Sequence, residues 1–403
     1  MTASVSPPPE PPARHDPHPR PGPGRTARPA PAVDPDVRER TTGHGLPRRR
    51  SVRTLGPNWY AAVMGTAILA SGGAGLPLRI PGLLPVFRAV WAVSAVLLVA
   101  VLAARCVHWA RHADQARADL RDPAVAPFYG CLAMAVLAVG GAALAVRAPA
   151  AAAVDAVLWT AGTLLALLVA AGVPYLMVVR HTIGDGQASP VWLLPVVAPM
   201  VSAALGPPLA ARLPDGQGRS AMVLGCYALF GMSLLLTLLI LPAVLSRLLH
   251  HGALPVAATP ALFLVLGPLG QSTTAVGNLA DAAPGTFASA AVLYGVPVLG
   301  FALLWLGLSA AMVVRALRHG MRHSMTWWAF TFPVGTCVTG ASGLARHTQL
   351  HALAWLSVGL YALLLAGWAA AAAGTVRGLF SAELLAAPAP APAEPLPTRA
   401  RTT

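Results

Sequence analysis

Between residues 58 and 375 the chain runs through ten apolar stretches, each near the ~20 residues that a helix needs to cross a bilayer core. They are 58–78, 83–105, 127–147, 151–177, 190–210, 221–246, 256–278, 286–314, 325–345 and 351–375. In hydrocarbon every backbone polar group must be satisfied within the protein, so runs of this length read as helices. Charge supports the same reading. The chain is 56% hydrophobic and only 10% charged, against roughly 25% in soluble domains. Too few charges remain to cover a water-facing surface. The expected class is an all-α integral membrane protein.

Three regions follow: residues 1–54, rich in Pro and Arg; a membrane body over 55–378; and an Ala/Pro-rich segment over 379–403. Both flanking segments lack the aliphatic and aromatic residues that a core needs, and are expected to be disordered. All 28 basic residues are arginine. Ten of them fall in the first 53 residues, so the net charge of +14 belongs mainly to a tail and is no sign of nucleic-acid binding. If the N-terminus is cytoplasmic, 22 of the 28 arginines lie on that side and six (Arg79, Arg88, Arg147, Arg212, Arg219, Arg346) on the other. Arginine excess marks the cytoplasmic face, so both termini are expected inside a bacterial inner membrane, and an even helix count follows.

A repeat is visible. Pro57, Pro127, Pro190 and Pro260 open odd-numbered segments at spacings of 70, 63 and 70, and Met325 opens the fifth without proline. Proline suits the first helical position, where its missing N–H costs nothing. Five helical hairpins of about 65 residues result.

The chemistry of the body is sparse. Of 14 acidic residues only Asp155 lies near a span, at the entrance to the fourth. Intramembrane carboxylates mark cation and proton pathways, so their scarcity argues against a cation channel or a carboxylate-driven pump and leaves open proton coupling through a protonated substrate. The pairs His319/His323, His347/His351 and His250/His251 sit at membrane boundaries without a third ligand, and no metal or other cofactor is expected. The four cysteines (106, 131, 226, 337) show no C-x-x-C spacing. No nucleotide-binding or hydrolase motif is present. A membrane-embedded enzyme would have only the histidines to work with, so a non-enzyme is the expectation.

Odd-numbered segments carry the polar character. The fifth has Pro195, Pro199 and Ser202; the seventh has Gly267, Pro268, Gly270, Gln271, Ser272, Thr274 and Gly277; the first has Gly65, Thr66, Gly72 and Gly73. In the ninth, SMTWWAFTFPVGTCVTG, Phe332, Gly335, Thr336 and Thr339 share one helical face, with Pro333 as a kink. Small residues also let membrane helices pack closely. Their recurrence in alternate segments points instead to a shared pathway lined by hydroxyls and freed backbone groups.

GPNWYAAVMGTAIL at 56–69, LGPLGQS at 266–272 and WWAFTFPVG at 327–335 resemble the tellurite-resistance/dicarboxylate transporter family. That family includes tellurite-resistance protein A homologues, malic-acid transporters, fungal sulfite efflux proteins and plant slow anion channels. The resemblance covers about residues 56–376. It implies five hairpins around a quasi-fivefold pore, odd helices inside and even helices outside, in a homotrimer with one pore per subunit. It also implies a phenylalanine gate on the ninth helix, which maps onto Phe332 beside Pro333; Phe330 fits less well. Relatives often add further phenylalanines, whereas here Phe128 and Phe263 lie near helix ends and the fifth helix has none. The function expected is a channel or carrier for small anions, C4-dicarboxylates such as malate among them, with sulfite or tellurite-linked efflux as the alternative.

Overall fold

The computed structural model describes residues 52–78, 81–287 and 289–381; the two tails expected to be disordered lie almost wholly outside these residues. The described residues form helices and turns, with no strand among them. In chain order the helices are α1 (Tyr60–Ala74), α2 (Leu84–Arg111), α3 (Ala113–Arg121), α4 (Tyr129–Ala145), α5 (Ala151–Val179), α6 (Leu193–Ala210), α7 (Gln217–His251), α8 (Leu266–Ala282), α9 (Pro284–Phe287), α10 (Ala290–Arg318), α11 (Phe332–Thr348) and α12 (His351–Phe380). Each of the ten apolar stretches holds one long helix, and eight are long and apolar enough to cross a membrane. Helices α4, α6 and α8 are counted there with their opening turns; α1 and α11, with 15 and 17 residues, are not among the eight. Small α3 and α9 were not anticipated. Nor was the length of α2 and α7, which run beyond their apolar stretches into arginine- and histidine-bearing turns. Hydropathy sees only the part of a helix that lies in lipid.

Two kinds of helix alternate. In α4, α6 and α8, each taken with its opening turn, 67, 89 and 83% of the apolar window is buried, against 17 to 28% in α2, α5, α7, α10 and α12. Most of α1 and α11 is buried as well. The buried helices pack in succession, α1 on α4, α4 on α6, α6 on α8 and α8 on α11, and α11 returns to α1. Each exposed helix packs on the buried helix before it and reaches the next: α2 on α1 and α4, α5 on α4 and α6, α7 on α6 and α8, α10 on α8 and α11, α12 on α11 and α1.

Aromatic donors fasten the two kinds together. Trp91 of α2 donates through Nε1 to the Val139 carbonyl (3.1 Å), Trp159 of α5 to Ser202 (3.0 Å) and Trp305 of α10 to Leu262 (3.0 Å). Tyr361 of α12 donates to the Leu69 carbonyl of α1 (3.1 Å), which ties the last hairpin to the first. An indole N–H left without an acceptor in an apolar setting is costly, so these side chains fix rotation as well as contact.

Each buried helix is entered through a 3₁₀ turn: Pro57–Trp59, Ala126–Phe128, Pro190–Trp192, Val256–Val265 and Met325–Phe330. Prolines 57, 127, 190 and 260 all lie in these turns. The chain then changes to α geometry, and Pro195, Pro268 and Pro333 fall in the first turn of α6, α8 and α11. This corrects the expectation for Pro333. It does not kink the middle of a helix; it stands second in α11, after a break at Thr331 (φ −96°, ψ −80°). The first N–H groups of a helix have no internal partner, so proline is tolerated there. Proline alone does not separate the two kinds of helix, since α5, α7 and α10 hold Pro174, Pro242 and Pro297 in their interiors.

At the end where α1 starts, α3 is pinned by charge. Buried Arg105 bonds the Leu55 carbonyl and the Tyr129 hydroxyl (2.9 Å) and lies 3.6 Å from Asp119. Asp114 meets Arg53 at 2.6 Å. The Gln115 N–H, and after it that guanidinium, hold the exposed Asp114 carboxyl below its ordinary range.

Candidate functional site

The opening turns of the buried helices enclose a cavity of about 490 Å³. Every one of the five turns contributes to its wall: Asn58, Phe128, Trp192, Ala258 and Thr326 are examples, one from each. The wall is mainly apolar, with Arg247 as its one charged side chain among the described residues. The cavity lies at the end where the described chain begins and ends, because Trp328 behind its wall bonds Thr375 near the close of α12 (2.9 Å).

Deeper in, Met64, Leu194 and Leu264 belong both to this cavity and to a gap of about 10 Å³ beyond it. Phe332, Pro333, Gly267, Met134, Leu193 and Val197 complete the walls of that gap. A space of ~10–15 Å³ holds at most one water, so the wide cavity ends at a closed apolar neck. Phe332 is 2% exposed and forms one side of it.

Of the residues expected along a pathway, the structure brings Phe332, Pro333 and Gly267 together at the neck. Several of the others are engaged between helices, while Ser202 Oγ and Gln271 Oε1 are buried without a hydrogen-bond partner among the described residues. Thr336 donates to the Pro333 carbonyl (2.6 Å) and lies 3.2 Å from that of Leu266 in α8. Thr274 and Thr339 share a hydrogen bond (2.7 Å). A Cβ on Gly270 would run into the backbone of Thr336 and Cys337, and one on Gly335 into Ile68 of α1. Gly65 faces the Thr331 hydroxyl and the Trp328 ring just as closely. Thr66 bonds the Ala62 carbonyl (2.8 Å) and accepts from Trp368 (3.1 Å); Ser272 bonds the Leu269 carbonyl (3.0 Å). Pro195 lies in the first turn of α6, and its backbone N sits where a Cβ on Gly130 of α4 would reach. Pro199 and Ser202 are buried inside α6, and Gln271 is buried in α8. Phe330 turns away from the neck, packing edge-on against Phe263 (centroids 4.9 Å apart). Phe332 therefore meets Met and aliphatic side chains, without a stack of rings.

Residues that sequence reasoning passed over are as informative. Met64, Met134, Leu194 and Leu264 form the neck, yet apolar residues in apolar helices send no signal of their own. Arg247 was counted only for orientation. Asn278 donates to the Ala204 carbonyl of α6 (2.7 Å). That bond has a readable cause: Pro208, four residues on, has no N–H to offer the carbonyl. Asp155 lies five residues into α5, near the start of the fourth span as expected, and is buried against Gly140. Among the described residues no group of three His, Cys, Asp or Glu is placed to hold a metal.

A many-helix membrane body with a deep cavity stopped at an apolar neck is the architecture of a transport protein. Residues 54–376 match the family described as SLAC1, voltage-dependent anion channel, and the chain belongs to that family. It is 27% identical over 335 residues, covering 83% of this chain and 96% of the relative, to an uncharacterized transporter of Methanocaldococcus jannaschii. It is 26% identical over 315 residues to the sulfite efflux pump SSU1 of Arthroderma otae and to that of Trichophyton rubrum, covering 74% of this chain and 83% of each relative. The protein is thus a multi-pass membrane protein of an anion-transport family whose members are channels or transporters, not enzymes.

Proposed function

We propose that the chain is a gated channel or carrier for small, singly charged anions, with hydrogensulfite the first candidate, and that Phe332 is its gate. The observation that carries this is the neck: a cavity of about 490 Å³ narrows to a gap of about 10 Å³ with Phe332 on its wall, in a chain of the anion-channel family. In this reading the ten long helices are five hairpins around a quasi-fivefold path. The succession of α1, α4, α6, α8 and α11, with α11 returning to α1, supports it. The arginine distribution supports a plasma-membrane protein with cytoplasmic termini, which sets the wide cavity on the cytoplasmic side. The family resemblance supports a homotrimer.

Sulfite is preferred over malate or a tellurite-linked substrate for two reasons. Two of the relatives above are named as sulfite efflux pumps. An apolar neck without a cation also favours one charge over two, because desolvation cost rises with the square of the charge. Weak binding in such a path lets an anion leave as well as enter.

The test is flux of sulfite, chloride and malate into vesicles holding the purified protein. Phe332→Ala is expected to raise sulfite and chloride flux roughly tenfold, with malate lagging in both proteins. Phe332→Leu keeps an apolar side chain at the neck and should fall between. A folded Phe332→Ala with wild-type flux removes the gate; no anion flux from either protein removes the function.

A further inference from the structure

We infer that the wide cavity is itself an anion-binding site, with the Arg247 guanidinium as its ligand, where a small inorganic anion is held before the neck. The inference rests on the anion-transport reading and names a residue which that reading does not need.

Arg247 lies near the end of α7, an exposed helix, yet its side chain reaches the cavity wall. Two backbone carbonyls hold it there: Nε donates to Gly186 (3.2 Å) and Nη1 to Gly252 (2.6 Å). Both glycines have positive φ (74° and 75°), so the loops on either side are shaped to present those carbonyls. A guanidinium has five N–H donors. Two are used, and Nη2 makes no hydrogen bond to a described residue. No carboxylate lies within 4 Å of it among the described residues, and none lines the cavity.

The surroundings favour negative charge for a second reason. All five turns that open the buried helices end on this cavity, and each helix presents its partial positive end there. Arg247 is half-buried and supplies the one full charge among the described residues of the wall. The same walls offer few hydrogen bonds to a large polar solute, which suits a halide, nitrate or hydrogensulfite. The neck begins at Leu194 and Leu264, which the cavity shares, so an anion held here is positioned to pass when Phe332 moves.

Two readouts test the inference on the full chain. One is the melting midpoint in detergent against nitrate concentration at constant ionic strength, with gluconate as the balancing anion. The other is the half-saturating nitrate concentration for flux into vesicles. Arg247→Gln should raise the half-saturating concentration in both by about tenfold or more, the loss of a charge-assisted contact, while maximal flux changes less than about twofold. Arg247→Lys keeps the charge and should stay within about threefold of wild type. Ala188→Asp puts a carboxylate in the cavity wall without touching the two carbonyl bonds, and should weaken nitrate as Arg247→Gln does.

Equal weakening by Gln and Lys would make Arg247 a loop tie and overturn the inference. So would an Ala188→Asp variant that binds nitrate as wild type does. The two readings fail separately. Flux present with both half-saturation values unmoved removes this site and leaves the transport function. A nitrate-dependent midpoint lost in Arg247→Gln, with no flux from any variant, keeps the site and removes the function.

Discussion

The buried helices and the exposed helices solve opposite problems with the same small set of residues. In α8 and α11, Gly, Ser and Thr occupy much of the sequence, and Thr274, Thr336 and Thr339 bond across the two helices. In α7 and α10, Leu and Val point outward and nothing lies near the Cβ positions of Gly225, Gly231, Gly300 or Gly307. Lipid drives no helix together by hydrophobicity, so close contact has to come from shape and hydrogen bonds. In α6 and α8 the buried set gives up hydropathy for fit, and α1 and α11 are not among the helices long and apolar enough to span. Gly270 and Gly335 mark contact in the buried set, whereas Gly225, Gly231, Gly300 and Gly307 mark none among the described residues; Gly162, Gly295 and Gly374 show that an exposed helix also uses glycine where it meets a neighbour.

The strongest way to break that comparison is to put the same substitution in both. Gly270→Leu drives a side chain into the backbone between α8 and α11, which cannot yield as a side-chain tip would. Overpacking of cores costs about 1–3 kcal/mol and more where backbone must move, so this variant is expected to lose its monodisperse peak in detergent chromatography. A well-behaved Gly270→Leu with a wild-type melting midpoint would mean that α8 and α11 do not pack as described. Gly267, three residues earlier, has open space where its Cβ would be. It belongs to the neck, and the contrast separates path from packing within one motif.

An intermediate effect is expected at Asn278. Its side chain serves a carbonyl that Pro208 leaves without a helical donor. Asn278→Ala strands that acceptor in an apolar core, at a cost of about 1–3 kcal/mol by the usual accounting for buried groups and less if water reaches it. Thermal melts of Asn278→Ala and of the double variant with Pro208→Ala check this. In the double variant residue 208 regains an N–H for Ala204, and much of the loss should return. Loss without recovery would place the role of Asn278 elsewhere.

Much of the fold was open to reading because bilayer thickness acts on whole segments. Ten helices, their approximate limits and the proline-marked starts of the buried ones follow from length, hydropathy and the missing proline N–H. Phe332 could be singled out because its neighbours WWAFTFPVG resemble a family pattern. The rest of the neck could not. Met64, Met134, Leu194 and Leu264 are ordinary members of apolar runs, and only the packing of four different helices and turns makes them a constriction. The polar residues are ambiguous for a related reason. A hydroxyl on an apolar helix signals that something must satisfy it, and in Thr336 and Thr274 the something is the next helix. Sequence can show that a polar group needs a partner without showing whether that partner is protein, water or solute.

The smallest expected effect comes from the exposed set. Gly307→Leu on α10 meets no atom within contact distance and replaces the least helix-favouring ordinary residue with a good helix former. The midpoint should move by less than about 0.5 kcal/mol in equivalent stability, the range of surface changes away from special features. Any gain would come from helix propensity, since the side chain finds no partner within the chain. A large loss in Gly307→Leu would have one meaning: a second subunit, not lipid, lies against α10 at that position. The same variant at Gly225 on α7 then decides which exposed helices face a partner, because a trimer covers only some of them. The division into buried and exposed helices would become a division into three, with subunit contacts as the third, and glycine spacing on α7 and α10 would acquire the meaning it already has on α8.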